Sequence, residues 1–405
     1  MMSSQKQPFA LIAGAGVAGL AAAWWLSHAG WRVRIVERAA HLRDGGHMMG
    51  LSGPGLATVR KMGLVPRLKK VAYPDMGIHV YRNRAGREIL RMDYRALLSE
   101  MDWITLRRTE LVRILHEEIR DQIELSFGTT VAAFDNAESG IAIQLSDGSN
   151  LDADLLVAAD GVHSALRAQA FAPDVQCLRP LGYRYAAYDV PDTLRLKESF
   201  LSYAEPGLQS EYYTLASGRL AALHVWRSAE QGFVAPQARL DVLRDLVQNS
   251  HDVVRAVLDA VEPQADVVID DLAVVELPRW HSGRVVLLGD SAHSLSLISG
   301  QGAGLALASA SILAEELERA AGRGAGPSGQ QLAVAFARQD QRLRPTVARL
   351  QQRSRKLAPA FVPATPLAFH LRNLALRTMP NALLRRVFLN GLKSEAEAME
   401  ALRQP

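Results

Sequence analysis

The chain has 405 residues, of which 48% are hydrophobic and 22% are charged. These fractions are close to those of soluble globular proteins, so a disordered or fibrous chain is excluded, and the length corresponds to two or three domains. The net charge of +4 (46 Lys and Arg against 42 Asp and Glu) is too small to predict nucleic-acid binding. The single cysteine, Cys177, excludes an internal disulfide and a cysteine-built metal site. No cleavable signal is recognisable, and we expect a cytoplasmic protein.

The first predicted elements are a buried strand, a glycine-rich turn and a helix. The strand is Phe9–Ala13, and the helix follows the turn and ends near Gly30, a favoured residue after a helix. A second strand covers residues 31–36. The uncharged run over residues 9–26 is long enough for a membrane span, but this strand–turn–helix order explains it better, and we expect no integral membrane span.

The glycines of this turn predict a dinucleotide-binding site. In the G-x-G-x-x-G pattern, Gly14 allows the tight turn, Gly16 lets backbone N–H groups approach a pyrophosphate, and Gly19 lets the helix pack closely on the strand. Glu37, about 20 residues further on, is placed to bind a ribose, and Arg38 beside it is a further candidate. NAD and FAD proteins share this pattern, so it leaves the dinucleotide open.

A second segment has the same order of strand, acidic turn and helix. Residues 150–160 are interpreted as a strand that ends at Asp160-Gly161, after a hairpin signal at residues 141–148. Carboxylates in such turns can accept hydrogen bonds from ribose or ribityl hydroxyls, and doubly wound sheets bind ligands there. This segment is therefore a second predicted part of the nucleotide site.

A third segment ends in another acidic turn. The strand at residues 284–288 leads to Gly289-Asp290, and a loop connects it to Gly300-Gln-Gly302 and an alanine-rich helix, from Leu305 to about Leu317. Glycines at these positions expose backbone N–H groups to phosphates or ring carbonyls.

Together the three segments resemble the group A, single-component flavoprotein aromatic hydroxylases. The D-G-x-x-S-x-x-R motif of that family is matched in full by Asp160, Gly161, Ser164 and Arg167. Residues 104–111 resemble the R-x-x-L helix start of the family, which implies that Arg108 reaches the flavin. The order and spacing of the motifs cover about residues 9–320. The resemblance implies a Rossmann-like FAD-binding domain, and FAD as the cofactor.

Within this family, the residues 45–50 and 299–302 are similar to those of the tetracycline-inactivating flavin monooxygenases, and equally to uncharacterised bacterial relatives. This similarity implies a bulky polycyclic or phenolic substrate. The sequence departs from the family at three positions: Ser296-Leu297 stands where a proline is usual, Gly304 where Asn is common, and Ser309 where an acidic residue is common. The Trp-x-Trp-x-Ile-Pro signature of flavin halogenases is absent.

A second domain is predicted from short strands separated by turn signals. The strands in residues 180–227, with a hairpin at residues 76–91, are interpreted as one antiparallel sheet that lies over the flavin and binds substrate. The candidate substrate residues are Met49, Tyr185, Tyr213, Trp226 and Ser296. His47 and His224 are candidates for facing the pocket and for a catalytic role, whereas His293 is expected to have a structural role. A phenolic substrate would be deprotonated by a His or a Tyr of the pocket, and the sequence leaves open which one. No histidine pair has metal-ligand spacing, so no metal is expected.

The C-terminal region is helical and basic. A helix that braces the two domains is the simplest interpretation, and a peripheral membrane or partner surface stays open. The expected architecture is mixed α/β, with an FAD-binding domain (1–75, 100–178 and 276–325), a substrate-binding β-sheet domain (76–99 and 179–275) and a helical region (326–405).

The resemblance implies a monooxygenase that works on an aromatic or polycyclic small molecule. NAD(P)H would reduce bound FAD, O₂ would form a flavin C4a-hydroperoxide, and the distal oxygen would pass to an electron-rich carbon. Two alternatives stay open: a flavoprotein reductase or dehydrogenase without oxygen insertion, and a protein that sequesters an aromatic compound without catalysis. The choice between NADH and NADPH, and between monomer and homodimer, also stays open.

Overall fold

The computed structural model describes residues 7–42, 47–73, 77–98, 102–196, 200–215, 217–324 and 326–379. The mixed α/β class is confirmed. Its strands are β1 (Phe9–Ala13), β2 (Arg32–Glu37), β3 (Met48–Leu51), β4 (Ile78–Arg82), β5 (Glu88–Asp93), β6 (Ile104–Arg107), β7 (Glu124–Phe127), β8 (Val131–Asn136), β9 (Ile141–Leu145), β10 (Asn150–Ala153), β11 (Leu155–Ala158), β12 (Leu178–Pro191), β13 (Phe200–Glu205), β14 (Leu208–Thr214), β15 (Arg219–Arg227), β16 (Val268–Val275), β17 (His281–Ser282) and β18 (Val285–Leu287).

The helices alternate with the strands in the N-terminal part and dominate after β18. They are α1 (Val17–His28), α2 (Gly53–Lys61), α3 (Val65–Val71), α4 (Tyr94–Leu98), α5 (Arg108–Ile119), α6 (Ala165–Ala170), α7 (Asp174–Cys177), α8 (Arg239–Val247), α9 (Asp252–Asp259), α10 (Asp290–His293), α11 (Gly302–Ala321), α12 (Gly329–Phe361) and α13 (Pro366–Thr378), with 3₁₀ turns at Pro236–Ala238 and Leu297–Ser299. Within the described ranges, no helix is both long and apolar enough to span a bilayer.

A six-stranded sheet carries the predicted nucleotide-binding motifs. Its strand order is β17-β18-β11-β1-β2-β7, and all neighbours are parallel except the short β17–β18 pair. The central strands β1 and β11 are buried along their whole length because both faces of the sheet are covered, which explains their continuous apolar sequences. Helices α1, α5 and α11 pack on one face, and the antiparallel sheet β8-β9-β10 packs on the other.

The predicted single strand at residues 150–160 is corrected by the structure. The chain forms β10 in the three-stranded sheet and then β11 in the six-stranded sheet. Between them, the Asp154 carboxylate accepts a hydrogen bond of 2.8 Å from the backbone N–H of Phe9. This bond fixes the point at which the chain passes from one sheet to the other.

The second large sheet has seven strands in the order β16-β12-β15-β14-β13-β4-β5. Its neighbours are antiparallel except β13 and β4. One face packs on α8 and α9 through a core that includes Tyr212 and Trp226. The opposite face packs against β3 through Tyr213 and Met48, and against the 3₁₀ turn before Gly300. We call this opposite side the flavin-domain face, because it meets β3 and the 3₁₀ turn, which both belong to the predicted FAD-binding domain.

Helix α12 connects the two large sheets. The side-chain amide of Gln339 donates to the Ser309 carbonyl of α11, and that of Gln351 donates to the carbonyls of Val275 and Ser294. Further along, α12 packs against the cluster around Val225 in the seven-stranded sheet. The predicted helical segment at residues 382–388 lies outside the described residues.

Candidate functional site

A cleft of about 300 Å³ runs from the end of β1 to the edge of the seven-stranded sheet. It is bordered by the first glycine turn at one end and by β12 and β16 at the other. The residues proposed from the sequence that line it are Gly14, Gly16, Glu37, Arg38, His47, Arg108, Asp160, Gly161 and Tyr185. The remaining proposed residues lie outside this lining and are Gly19, Met49, Tyr213, His224, Trp226, Gly289, Asp290, Ser296, Gly300 and Gly302.

The three glycines of the first turn have different geometries. Gly14 has a φ of +107°, and a Cβ there would lie 2.3 Å from the carbonyl oxygen of Ala159. A Cβ on Gly19 would lie 1.9 Å from the Gly14 carbonyl oxygen, so helix α1 depends on a glycine to approach the turn. A Cβ on Gly16, in contrast, would meet no protein atom within 4 Å. Gly16 therefore faces open space at the N-terminus of α1.

Glu37 connects the glycine turn after β1 with the loop after β2, at one end of the cleft. Its carboxylate accepts hydrogen bonds from the backbone N–H groups of Ala15, at 2.7 Å, and Ala39, at 2.8 Å. Each carboxylate oxygen has a second lone pair, so the group can still accept a hydrogen bond from a hydroxyl in the cleft.

The D-G-x-x-S-x-x-R motif forms a turn that is held together by hydrogen bonds of its own side chains. Ser164 caps helix α6 and donates to Asp160 at 2.5 Å. Arg167 is fully buried, and its guanidinium donates to the carbonyls of Val162 at 2.6 Å and Ser291 at 3.0 Å. Because Ser291 follows Asp290, this arginine ties the second motif to the third.

His163 was not singled out from the sequence, although it lies inside the second motif. Its ring nitrogens each lie 3.0 Å from a carboxylate, Nε2 from Asp270 on β16 and Nδ1 from Asp174. The hydrogen bond to Asp270, followed by that to Asp174, raises the pKa of His163 to about 9. The imidazolium lines the cleft and links the flavin motif to the seven-stranded sheet. No local sequence pattern indicates it, since both partners are distant in sequence.

The third motif packs against the first. Gly289 has a φ of +69°, and a Cβ there would lie 2.6 Å from Ala18 Cβ in α1. Asp290 begins α10, and Gly302 begins α11 with its hypothetical Cβ 3.9 Å from Asp290 Oδ1. Gly300 has the left-handed conformation and faces open space. The acidic turn and the glycine loop therefore lie together at the N-terminus of α11.

The loop between these glycines has a backbone conformation at Ser296 that proline cannot adopt. Ser296 has a φ of +69°, whereas proline is restricted to a φ near −65°. Ser299 Oγ donates to the Ser296 carbonyl at 3.0 Å, and Leu297 begins the 3₁₀ turn. This loop conformation excludes a proline at position 296.

His47 and Arg108 are adjacent at the cleft. The backbone N–H of Arg108 donates to the His47 carbonyl at 3.2 Å, and helix α5 begins at Arg108 as predicted. Burial, with a smaller contribution from the Arg108 charge, lowers the pKa of His47 to about 3. His47 is therefore neutral at pH 7 and can act there as a hydrogen-bond donor or acceptor.

The structure corrects three predictions about the pocket. His224 is fully buried on the α8–α9 side of the sheet, where its nitrogens are bonded to Tyr188 at 2.7 Å and Ser210 at 2.8 Å. Trp226 packs in the same core, and Met49 packs in the core of the six-stranded sheet. The cause is strand parity, since alternate residues of a strand point to opposite faces. Tyr185 lines the cleft.

His293 lies away from the cleft in a structural environment. Its ring packs edge-on against Trp280 with centroids 5.2 Å apart, and burial lowers its pKa to about 4. Among the described residues, no group of three His, Cys, Asp or Glu side chains could hold a metal ion.

The donor set of the cleft fits FAD. Helix α1 begins at Gly16 without a side-chain cap among the described residues, so its first N–H groups are available for a pyrophosphate. Arg38 and Arg108 are exposed at the cleft and can neutralise phosphate charge, and Glu37 can accept ribose hydroxyls. Glu37, Arg38 and the glycine turn would hold the ribose and pyrophosphate of FAD, and the bound flavin would supply redox chemistry.

The fold and the cleft define a protein with an N-terminal dinucleotide-binding unit and a second large sheet at the far end of the cleft. Residues 9–331 match the family described as FAD binding domain. The chain belongs to this family and is an FAD-dependent monooxygenase. The predicted resemblance and the FAD cofactor are thereby confirmed.

Relatives of known sequence or structure extend over most of the chain. An uncharacterised protein of Mycobacterium tuberculosis (strain ATCC 25618 / H37Rv) is 30% identical over 328 residues, which cover 76% of this chain and 85% of that protein. A flavin-dependent monooxygenase from an unknown prokaryotic organism is 28% identical over 369 residues, covering 88% and 91%. The solved structure of the tetracycline destructase Tet(55) is 26% identical, with a TM-score of 0.80 and 98% of both chains covered.

Proposed function

We propose that the protein uses NAD(P)H and O₂ to hydroxylate an aromatic or polycyclic small molecule. The observation that carries this proposal is that one cleft runs from the FAD-binding motifs to the seven-stranded sheet, where Tyr185 lines it. The same face of the sheet also carries Phe200 and Tyr213. Bound FAD would supply the oxygen-transfer chemistry that the family resemblance implies. The similarity to a tetracycline destructase favours a substrate of several fused rings.

The chain itself would bind, orient and enclose the reactants. The glycine turn and helix α1 would hold the pyrophosphate, and Arg108 would neutralise part of its charge. Tyr185 lines the cleft where it meets the sheet, and Tyr213 lies on the same face. Tyr185 would orient a flat ring and exclude water from it, and the buried Tyr213 would support this face of the sheet.

The experiment that tests the proposal is turnover by the FAD-loaded protein under ¹⁸O₂. A panel of mono- and polycyclic phenols, with their methyl ethers, is supplied with NADH or NADPH. We expect stimulated oxidation of the nicotinamide and a product heavier by one ¹⁸O atom. A Glu37→Gln variant should lose FAD affinity and turnover together, whereas Glu124→Gln, at an exposed strand position, serves as the matched control.

A second candidate function is a flavoprotein reductase without oxygen insertion. The observation that favours it is the Ser296-Leu297 loop, which lacks the proline usual in the hydroxylases and whose positive φ at Ser296 excludes a proline at that position. Turnover under argon with a reduced organic product would support this candidate. Tight ligand binding without any nicotinamide oxidation would contradict both enzymes and indicate sequestration.

A further inference from the structure

One carboxyl group on the flavin-domain face of the seven-stranded sheet is not part of the FAD cleft. Glu211 lies on β14, one residue from Tyr212, which packs on the α8–α9 face, and two residues from Tyr213. Strand alternation therefore places Glu211 and Tyr213 together on the flavin-domain face. Directly opposite Glu211 are Ser202 on β13 and Leu223 on β15. Side chains directly opposite each other have Cβ atoms about 5 Å apart.

The Glu211 carboxyl has little compensation from the protein. It accepts a long hydrogen bond of 3.5 Å from Ser202 Oγ, and His79 Nε2 lies 3.9 Å away. Burial lowers the pKa of His79 to about 3, so that ring is neutral at pH 7. Within the described ranges, no lysine or arginine forms an ion pair with Glu211. Burial raises the pKa of Glu211 to about 7, and a fifth of its side chain is exposed.

The surroundings of Glu211 are apolar and aromatic. The rings of Phe200 and Tyr213 lie 5.7 Å apart between centroids and pack in one cluster with Met48. On the other side, Leu223 packs against the cluster around Val225, as does the 3₁₀ turn before Gly300. A flat ring placed against this surface would therefore lie between two segments that border the flavin-binding motifs.

A hydrogen bond connects this surface to the cleft. The Tyr213 hydroxyl accepts from the backbone N–H of Met48 at 2.7 Å, and the neighbouring His47 lines the FAD cleft. Glu211 therefore lies two strand residues, or roughly 7 Å along β14, from Tyr213, whose hydroxyl is bonded to the residue next to His47. An uncompensated buried carboxyl beside a ligand site is a recurrent mark of a functional group.

We propose that Glu211 is the general base that receives the phenolic proton of the substrate. The proposal rests on the monooxygenase function proposed above. The phenol lies against the half-buried side chain of Leu223, next to the buried pair Phe200 and Tyr213, with its hydroxyl directed at Glu211. The O–H bond breaks, the proton passes to a carboxylate oxygen of Glu211, and the electron pair stays on the phenolate oxygen. The ring carbons thereby become more electron-rich, which favours transfer of an electrophilic oxygen atom.

The titratable groups around Glu211 would remain uncharged while it titrates. They are His79 and Tyr81 on β4, Tyr94 on α4 and Tyr213 on β14. Burial raises the pKa of each tyrosine and lowers that of His79. Arg372 on α13 keeps its charge and faces Tyr81. Turnover of a phenol should therefore rise with pH through about 7, as the Glu211 carboxyl loses its own proton.

The test compares the wild type with Glu211→Gln in the FAD-loaded full chain, using the phenol panel and its methyl ethers. Because general bases contribute about 100-fold or more, we expect kcat/KM for phenols to fall by about 100-fold and the rise near pH 7 to disappear. Methyl ethers should not be turned over by either protein. Glu88→Gln, on exposed strand β5 of the same sheet, is the matched control and should keep the wild-type pH profile. Glu211→Asp should recover part of the rate and retain a pH-dependent rise.

Several results would overturn the assignment while leaving the proposed function intact. They are a wild-type kcat/KM in Glu211→Gln, an unchanged pH profile in that variant, or ¹⁸O insertion by the wild type into methyl ethers but into no phenol. If Glu211→Gln does not retain FAD, the test uses Glu211→Asp instead. The aspartate carboxylate is one methylene further from the phenol, so a base at this position should work more slowly. A rate and pH profile equal to the wild type would therefore contradict the assignment. Absence of ¹⁸O in any product would refute the monooxygenase proposal itself.

Discussion

Two alanine substitutions in the first turn should separate cofactor binding from folding. Gly16 has φ −78° and ψ −175°, which alanine adopts without strain, and its Cβ would meet no protein atom within 4 Å. A Cβ on Gly19 would lie 1.9 Å from a backbone oxygen that cannot move aside. Gly16→Ala should therefore weaken only the binding of FAD, whereas Gly19→Ala should lower the unfolding free energy of the apoprotein.

The magnitudes follow from what each methyl group displaces. Gly16→Ala should change the unfolding free energy of the apoprotein by less than about 1 kcal/mol. Hydrogen bonds to charged groups contribute about 1.5–3 kcal/mol each, so loss of two bonds to the pyrophosphate should weaken FAD binding at least 100-fold, roughly 3 kcal/mol. Gly19→Ala should cost about 1–3 kcal/mol or more in the apoprotein, because α1 must move away from β1.

The assay is urea unfolding of the FAD-free proteins, followed by FAD titration with flavin fluorescence as the readout. We expect wild-type unfolding with weak FAD binding for Gly16→Ala, and a lower urea midpoint for Gly19→Ala. The reasoning is refuted if Gly16→Ala binds FAD with wild-type affinity, or if it destabilises the apoprotein as much as Gly19→Ala does.

Two further substitutions test the contacts between the sheets. Because the pKa of His163 is raised to about 9, its ion pairs should stabilise the fold fully below about pH 6.5 and lose that contribution as the pH rises through 9. His163→Asn should remove this pH dependence from the urea midpoint. The effect on the unfolding free energy should be below about 1 kcal/mol, because the ring is half exposed. If plots of urea midpoint against pH run parallel for the wild type and the variant, the interpretation is contradicted. Tyr213→Phe should lower the unfolding free energy by about 1 kcal/mol through loss of the Met48 bond. Tyr203→Phe, whose hydroxyl has no hydrogen-bond partner within the described ranges, is its control, and equal losses in the two variants would count against the interpretation.

The parts of the site that could be predicted from the sequence depend on local rules. Glycine spacing, an acidic residue at a strand end and a helix start lie within a few residues of one another, so Gly16 and Asp160 could be named with their elements. The three motifs converge because parallel strands end at one edge of the sheet. The links between motifs, such as Arg167 to the Ser291 carbonyl, could not be predicted because they join residues 124 positions apart.

In the second domain, the sequence does not show which face of each strand points toward the flavin domain. Alternation assigns residues of β14 and β15 to two faces, but only the packed structure shows which face meets the flavin domain. The sequence therefore predicts His224 in the pocket, although it lies on the opposite face. No motif marks Glu211, although a carboxylate in the middle of an aromatic strand is a usable signal.

The two buried polar networks of the seven-stranded sheet show how a structural histidine differs from a functional acid. His224 has both ring nitrogens bonded, at 2.7 and 2.8 Å, and is closed off from solvent. Such a satisfied network specifies the packing of the core and leaves no capacity for a ligand. Glu211 has one long bond and no cationic partner among the described residues, so burying it costs free energy that the protein does not recover by itself. A ligand hydroxyl would supply the missing donor, which is why the flavin-domain face, and not the face with His224, is where we expect the substrate.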